Sequence, residues 1–264
     1  MTVALDGMRA LVGGGSQGIG RGSAEALASA GASVTLLSRD SVALKTVRDE
    51  LPRPAEQGHG FLAVDFGVWE DVRDAVVADV AANGPVAILV NNTGGPGAGS
   101  IREADPEAFA AAFEQHILSY QASVQAVQPG MADGGYGRII NIISTSVVTP
   151  IRGLGVSNTI RGAVANWART LAAEVGGDGI TVNNILPGYI DTARLQSSMS
   201  RRAELTGSTP GEIAAVVRAS VPAGRLGTPE DIGAVVAFLA SPAAGYVNGV
   251  NLPVDGGRLV NLNA

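Results

Sequence analysis

The chain has 264 residues, 46% hydrophobic and 16% charged, which is enough apolar material for a sizeable core and unlike a disordered chain. A formal net charge of -6 argues against a nucleic-acid or anionic-membrane surface, since both call for a basic face. There is no cysteine, hence no disulfide, thiolate nucleophile or Cys-based metal site, and the two histidines, His59 and His116, lack metal-ligand spacing, so no bound metal is expected.

At the start of the chain, MTVALDGMRALVGGG shows no basic segment followed by a long apolar core, and no stretch reaches the roughly 18 apolar residues of a membrane span. A cytoplasmic location is expected. The first β-type run, 9–14, leads directly into LVGGGSQGIGRG, which satisfies GxGxxG through Gly13, Gly15 and Gly18, and GxxxGxG through Gly14, Gly18 and Gly20. Between a strand and a helix, such glycines leave a pyrophosphate free to meet backbone N–H groups and the positive end of the helix dipole. The second run, 33–38, ends in LLSRD. An NAD site calls for an acid about 20 residues on, to accept from the ribose 2′-OH. Here Ser38 and Arg39 stand in that place, and an arginine suits the 2′-phosphate of NADP through charge-assisted hydrogen bonds. NADPH is therefore expected in preference to NADH.

Further runs follow at 60–66, 87–92, 137–144, 180–188 and 249–257, which makes about seven strands. Most are continuous Val/Ile/Leu stretches, the pattern of strands buried on both faces of a parallel sheet. Helix starts are marked between them by Asp105-Pro106, Thr209-Pro210 and Thr228-Pro229, each an N-cap side chain before a proline at the first helical position. A helical stripe over 154–175 ends at Gly176-Gly177. No composition break marks a linker. The expectation is a single α/β domain over residues 1–264, doubly wound, with a seven-stranded parallel sheet flanked by helices and ligands at the carboxyl ends of the strands.

Over essentially its whole length the chain resembles the short-chain dehydrogenase/reductase family, in the size group of the 3-oxoacyl-carrier-protein reductases. GGGSQGIG, VDF, NNTGG, GRIINIIS, ITVNNILPGYIDT, GRLGTPEDIGAVVAFLAS and VDGG carry the resemblance. It implies a Rossmann-type fold with a cofactor cradle of Gly14, Ser16, Gln17, Gly18, Ile19 and Gly20, and adenine contacts from Asp65 and Phe66. Asn91, Gly94, Pro187 and Gly188 join the implied cofactor site, with Thr192 at the nicotinamide carboxamide. The implied chemistry is hydride transfer between NAD(P)H and a carbonyl: a tyrosine gives the proton, a lysine four residues later supports it and holds the nicotinamide ribose, a serine positions the substrate oxygen, and in many members an asparagine holds a water chain. Ser144 occupies the serine position. Thirteen residues on, the tyrosine position holds Ser157, the lysine position holds Arg161, and the asparagine position falls on His116. A homotetramer, or at least a homodimer, built from the fourth and fifth helices and the last strand is also implied.

Ser157 and Arg161 are four apart on one helix and share a face. Arginine offers a fixed charge and donors for ribose hydroxyls, but it does not pass protons, and a serine hydroxyl is a far weaker acid than a phenol. Losing a general acid removes a factor of about 10²–10⁴, while near-attack geometry supplies roughly 7–11 kcal/mol. The leading expectation is an NADP-dependent oxidoreductase with an atypical proton donor and a small carbonyl, imine or enone substrate, in which Ser144, Ser157 and Arg161 form the catalytic set. An iminium ion needs no acid, and an enone can take its proton from solvent later. Among side chains, Tyr189 and His116 are the replacement donors to consider, because Tyr136 and Tyr246 precede strands and fall on the opposite rim. Two other functions stand beside this one: a catalytically silent nucleotide-binding protein of the same fold used in sensing or assembly, and a non-redox dehydratase or isomerase using Ser144 and Arg161. Blander roles are a strand-end cap for Ser144, helix-start capping for Ser157, Asn158 and Thr159, and a solvated face for Arg201 and Arg202.

Overall fold

Seven parallel strands run through the middle of the protein, whose computed structural model describes residues 3–260. They are β1 (Arg9–Gly13), β2 (Ser33–Ser38), β3 (Gly60–Ala63), β4 (Ile88–Asn91), β5 (Gly137–Ile142), β6 (Ile180–Pro187) and β7 (Asn251–Val254), in the spatial order 3-2-1-4-5-6-7. The helices are α1 (Gly18–Ser29), α2 (Ser41–Glu50), α3 (Trp69–Asn83), α4 (Pro106–Phe113), α5 (Ser119–Asp133), α6 (Gly155–Val175), α7 (Ala193–Thr206), α8 (Pro210–Ala219) and α9 (Pro229–Ala240). This is the doubly wound α/β arrangement that the alternating runs predict.

The continuous apolar runs are continuous because both faces of the sheet are covered. Every residue of β5 and β6 is buried. On one face Val12, Leu36, Ile88 and Ile185 meet Leu27 of α1 and Val236 of α9; on the other, Leu11, Leu89, Ile139 and Val182 meet Val76, Val127 and Ala168 from α3, α5 and α6. Helices α1 and α9 approach closely through glycine: a Cβ on Gly233 would lie 2.4 Å from the Gly22 carbonyl oxygen. Thr209 and Thr228 both close capping boxes, with Glu212 and Asp231, whereas Asp105 makes no side-chain cap bond.

Several runs are longer than the strands they become. Those reaching 66, 92 and 144 end as strands at Ala63, Asn91 and Ile142, although Val64 and Ile143 still donate to Ser38 and Ile185 of the neighbouring strands. The run over 249–257 shortens to Asn251–Val254 because Gly256 and Gly257 take φ of +63° and +85° and end it in a turn. Between α4 and α5 the backbone passes through a π-helical turn, Glu114–Leu118, with no marker in the sequence. Among the described residues no helix is long and apolar enough to cross a membrane.

A row of asparagines crosses the interior of the sheet. Asn91, Asn141, Asn184 and Asn251 are register partners on β4, β5, β6 and β7, and each amide nitrogen donates to the next amide oxygen at 2.8, 2.9 and 2.8 Å. Side chains of paired residues lie on one face of a sheet, which puts the amides in reach of each other. Buried polar groups persist when they are hydrogen-bonded.

Replacing the central member breaks two of these bonds and strands two buried neighbours. Asn141→Leu is expected to cost about 2–6 kcal/mol, from one to three for each of the two orphaned groups, as a lower urea midpoint at unchanged m-value.

Candidate active site

The strand order reverses between β1 and β4, and the loops leaving those two strands stand side by side. Asn92 donates its amide to the Gly13 carbonyl oxygen at 3.1 Å and ties the loops together. Gly14 and Gly18 have φ of +60° and +53°, and a Cβ on Gly20 would lie 2.0 Å from the Gly14 carbonyl oxygen, so the backbone can follow this path only without side chains there. Gln17 sits at the N-cap of α1 in extended conformation and makes no side-chain cap bond, leaving the first helical N–H groups for an outside acceptor. With Ser16 and Ile19 partly exposed beside it, this cradle fits a pyrophosphate. Thr192 arrives from the other side: its Cγ2 would lie 3.3 Å from a Cβ on Gly18.

The end of β2 carries the discrimination between ribose substituents. Ser38 Oγ is buried and has no hydrogen-bond partner, and the Arg39 side chain is exposed, with only a loose 3.7 Å approach to Asp65. Asp40, the carboxylate that could have competed for a ribose hydroxyl, instead caps α2 by accepting from the Val42 and Ala43 N–H groups. Asp65 accepts from the Gly67 N–H at 2.9 Å, and Phe66 is buried against the glycine loop.

The Asn91 side chain is engaged within the sheet. It is buried and donates its amide to Asn141 inside the sheet, so its side chain belongs to the asparagine row and not to the nucleotide groove. Its neighbour Asn92 does the work at the loop. Gly94 lies on the exposed turn beyond, while Pro187 is the last residue of β6, and Gly188 packs so closely on Asp255 that a Cβ would sit 2.7 Å from its Cα.

At the carboxyl end of β5, Ser144 caps a 3-10 turn: its Oγ accepts from the Ser146 N–H at 3.0 Å. The capping role is real, and it leaves the hydroxyl proton free to donate elsewhere. Ser157 and Arg161 both lie on the buried face of α6, as their spacing predicts. One guanidinium nitrogen of Arg161 donates to the Ile142 carbonyl oxygen at 2.9 Å, which pins it under the end of β5. Burial lowers its pKa, the nearby Tyr120 phenol opposes that shift and Arg194 adds to it; the guanidinium stays charged. Asn158 and Thr159 bind locally to Ile151 and Gly155, and Arg201 and Arg202 are exposed on α7.

The π-helical turn places His116 at the back of the site, wholly buried, with both ring nitrogens unpartnered and its ring edge-on to Tyr120. Burial first, then the charges of Arg161 and Arg194, push its pKa down to about 2. It is a neutral imidazole at physiological pH and no store of a transferable proton. Tyr120 is also wholly buried, and its phenol is pushed up to about 12, mainly by burial and in part offset by Arg161. Tyr189 lies past β6 with the Arg258 guanidinium 4.6 Å from its ring centre. Tyr136 bonds to Ala240 before β5, and Tyr246 is fully exposed before β7.

Buried side-chain polar atoms without partners are few among the described residues: Ser38 Oγ, both nitrogens of His116, Tyr120 Oη, Ser146 Oγ and Thr181 Oγ1. All but Thr181 lie on or behind the segments that leave the carboxyl ends of β2 and β5 or on the π-helical turn and the start of α5. Three of the site's members went unnoticed in the sequence: Ser146; Arg194, two residues past Thr192, which donates to the carbonyls of Gly95 and Pro96 at 3.1 and 3.2 Å; and Arg258, just past VDGG, which donates to Thr145 Oγ1 at 3.0 Å. Among the described residues no group of three side chains is suited to hold a metal ion.

Residues 14–258 match a family described as enoyl-(acyl carrier protein) reductase. The chain is 34% identical over 255 residues to a 3-oxoacyl-[acyl-carrier-protein] reductase of Vibrio cholerae serotype O1, covering 96% of this chain and 98% of that protein. Among solved structures, the L-sorbose reductase of Gluconobacter frateurii complexed with NADPH and L-sorbose superposes with a TM-score of 0.92 at 30% identity, over 99% of this chain and 100% of that one. An NADPH-dependent reductase involved in bacilysin biosynthesis gives 0.90 at 25% identity, over 97% and 99%.

The depressed His116 pKa has a consequence for stability. Below its ordinary value of 6.5 the unfolded chain takes up a proton that the folded protein refuses until about pH 2, so stability is lost as the pH falls through this window. His116→Asn is expected to flatten the acid limb by up to about 1.4 kcal/mol per pH unit, read from urea denaturation at several pH values below neutrality. His59, lowered by burial as well, leaves a residual slope in the variant.

Proposed function

Because the chain belongs to the short-chain dehydrogenase/reductase family, we propose that it is an NADP-dependent oxidoreductase that transfers hydride to a small acceptor without a phenolic proton donor. The nicotinamide cofactor, when bound, supplies the hydride. Gly14, Ser16, Gln17, Gly18, Ile19 and Gly20 hold the pyrophosphate at the start of α1, Ser38 and Arg39 take the 2′-phosphate, and Asp65 and Phe66 flank the adenine. Gly94, Pro187, Gly188 and Thr192 line the nicotinamide end, and the free donors of Arg161 face the adjoining ribose. Asp40, engaged as a helix cap, leaves the 2′ position to Arg39, and this favours NADPH over NADH.

Ser144 is the group that meets the acceptor. Its lone pair is committed to the Ser146 N–H, which orients the hydroxyl and leaves its proton to donate to a carbonyl oxygen or imine nitrogen. Ser157 offers a second hydroxyl on α6. The observation that supports this mechanism is the pair Ser157–Arg161 with no usable acid beside it: His116 is neutral, and the Tyr120 phenol is buried and raised to about 12. The substrates that suit such a site are those whose chemistry does not wait for an enzyme proton, an iminium ion or an enone, ahead of simple ketones. Assembly as a dimer or tetramer is part of the same proposal.

Titration with NADPH and NADH is expected to show tighter binding of NADPH, and bound NADPH is expected to be oxidised faster by cyclic imines or enones than by ketones. Failure to bind either nucleotide would sink the proposal, and binding without oxidation across broad panels would instead indicate a silent nucleotide-binding protein. Arg39→Ala is expected to weaken NADPH binding about tenfold or more while sparing NADH, the loss of a charge-assisted contact.

A second variant addresses the proton. Tyr189→Phe is expected to keep turnover within about twofold, as an aromatic pocket wall would; a drop of about 10² or more would make Tyr189 the acid.

A further inference from the structure

Arg138 and Arg161 are both buried arginines, and they are treated differently. Arg138 directs its donors to three carbonyl oxygens, of Gly137 at 2.8 Å, Gly179 at 3.2 Å and Ser241 at 3.4 Å, and lies 4.0 Å over the Tyr136 ring. Arg161 donates to one carbonyl oxygen, that of Ile142, and its other polar neighbour is the Tyr120 hydroxyl, close enough to favour the charged guanidinium. One nitrogen of its fork is anchored to a carbonyl and the rest of the fork, beside the Tyr120 hydroxyl and Ser157, meets no carboxylate.

The charge is also uncompensated. Two more arginines border the same end of β5: Arg258, tied to Thr145 beside Ser144, and the exposed Arg194 at the mouth, whose charge is felt at both His116 and Arg161. Among the described residues, none of the three has a carboxylate within ion-pair distance; the ion pairs of the protein lie elsewhere. A buried cation without a counter-charge is costly, and ribose hydroxyls, being neutral, solvate it without cancelling it. The diphosphate of a dinucleotide is provided for at the glycine loop, at the other end of the groove.

We infer that the acceptor is an anion, a small carboxylic acid whose carboxylate is read by the arginines around Ser144, with Arg161 at the floor and Arg194 and Arg258 at the rim. The inference rests on the reductase reading and adds a substrate class to it. Planar guanidinium donors match a carboxylate in geometry as well as charge. A carboxylate here brings the carbonyl, imine or alkene next to it toward the Ser144 hydroxyl.

The test uses pyruvate and its neutral isostere pyruvamide, titrated by calorimetry into the protein alone and into the protein saturated with NADP⁺. NADP⁺ binding in the first step tests the reductase reading by itself. Pyruvate is expected to bind at least about tenfold more tightly than pyruvamide, the least that a charge-assisted contact gives. Arg258→Gln and Arg194→Gln are each expected to shrink that preference severalfold with the NADP⁺ affinity unchanged, and Arg161→Gln to abolish it. Equal binding of acid and amide, with and without nucleotide, would overturn the inference. So would competition between pyruvate and NADP⁺, or equal losses of nucleotide and pyruvate affinity in the rim variants, since these would assign the arginines to the cofactor phosphates.

Discussion

Everything at the site hangs on the place where the sheet changes direction. Strand β1 passes its chain to one side and β4 to the other, so the loops above them part and leave a groove, and the Asn92 amide on the Gly13 carbonyl fixes its width. Glycine is required because the first turn after β1 passes within touching distance of the start of α1, as the 2.0 Å approach at Gly20 makes plain. The remaining strands extend this groove along their carboxyl ends: β5 contributes Ser144, β6 the Pro187-Gly188 turn, and α6, crossing behind, contributes Ser157 and Arg161.

Within that frame Ser157 and Arg161, which the proposed reading sets at the family's tyrosine and lysine positions, act together in that proposal. A lysine beside a phenol works by lowering the phenol's pKa; with the phenol gone, a flexible ammonium would have nothing to activate. A guanidinium pinned by one nitrogen to Ile142 is a different device, a fixed charge with a fixed direction. Its charge adds to the burial that keeps His116 neutral. In the proposed mechanism the chemistry moves from proton donation toward holding charge in place, which suits acceptors that arrive already polarised.

The sequence made the framework legible because its signals are local. Continuous Val/Ile/Leu runs marked the strands, the glycine spacing marked the cradle, and the interval of thirteen residues located Ser157 from Ser144. Roles that depend on partners brought from afar were less visible. The side chain of Asn91 is claimed by its register partner Asn141, the carboxylate of Asp40 by the start of α2, and Ser144 is a cap and a candidate donor at once. Arg194 and Arg258 come from segments more than sixty residues apart and carry no motif of their own, and the π-helical turn that buries His116 has no sequence marker at all.

The asparagine row has a direction. Each amide gives its N–H₂ toward β7 and receives from the side of β4, so no member can rotate by half a turn without forcing the next to do the same. The four strands are thereby keyed to one another: sliding any of them by one residue would turn its amide to the opposite face and leave the neighbours facing hydrocarbon. The loops that begin at Asn92, Ile143 and Gly188 inherit that alignment, and the height at which each reaches into the groove is set by a polar zipper buried just below them.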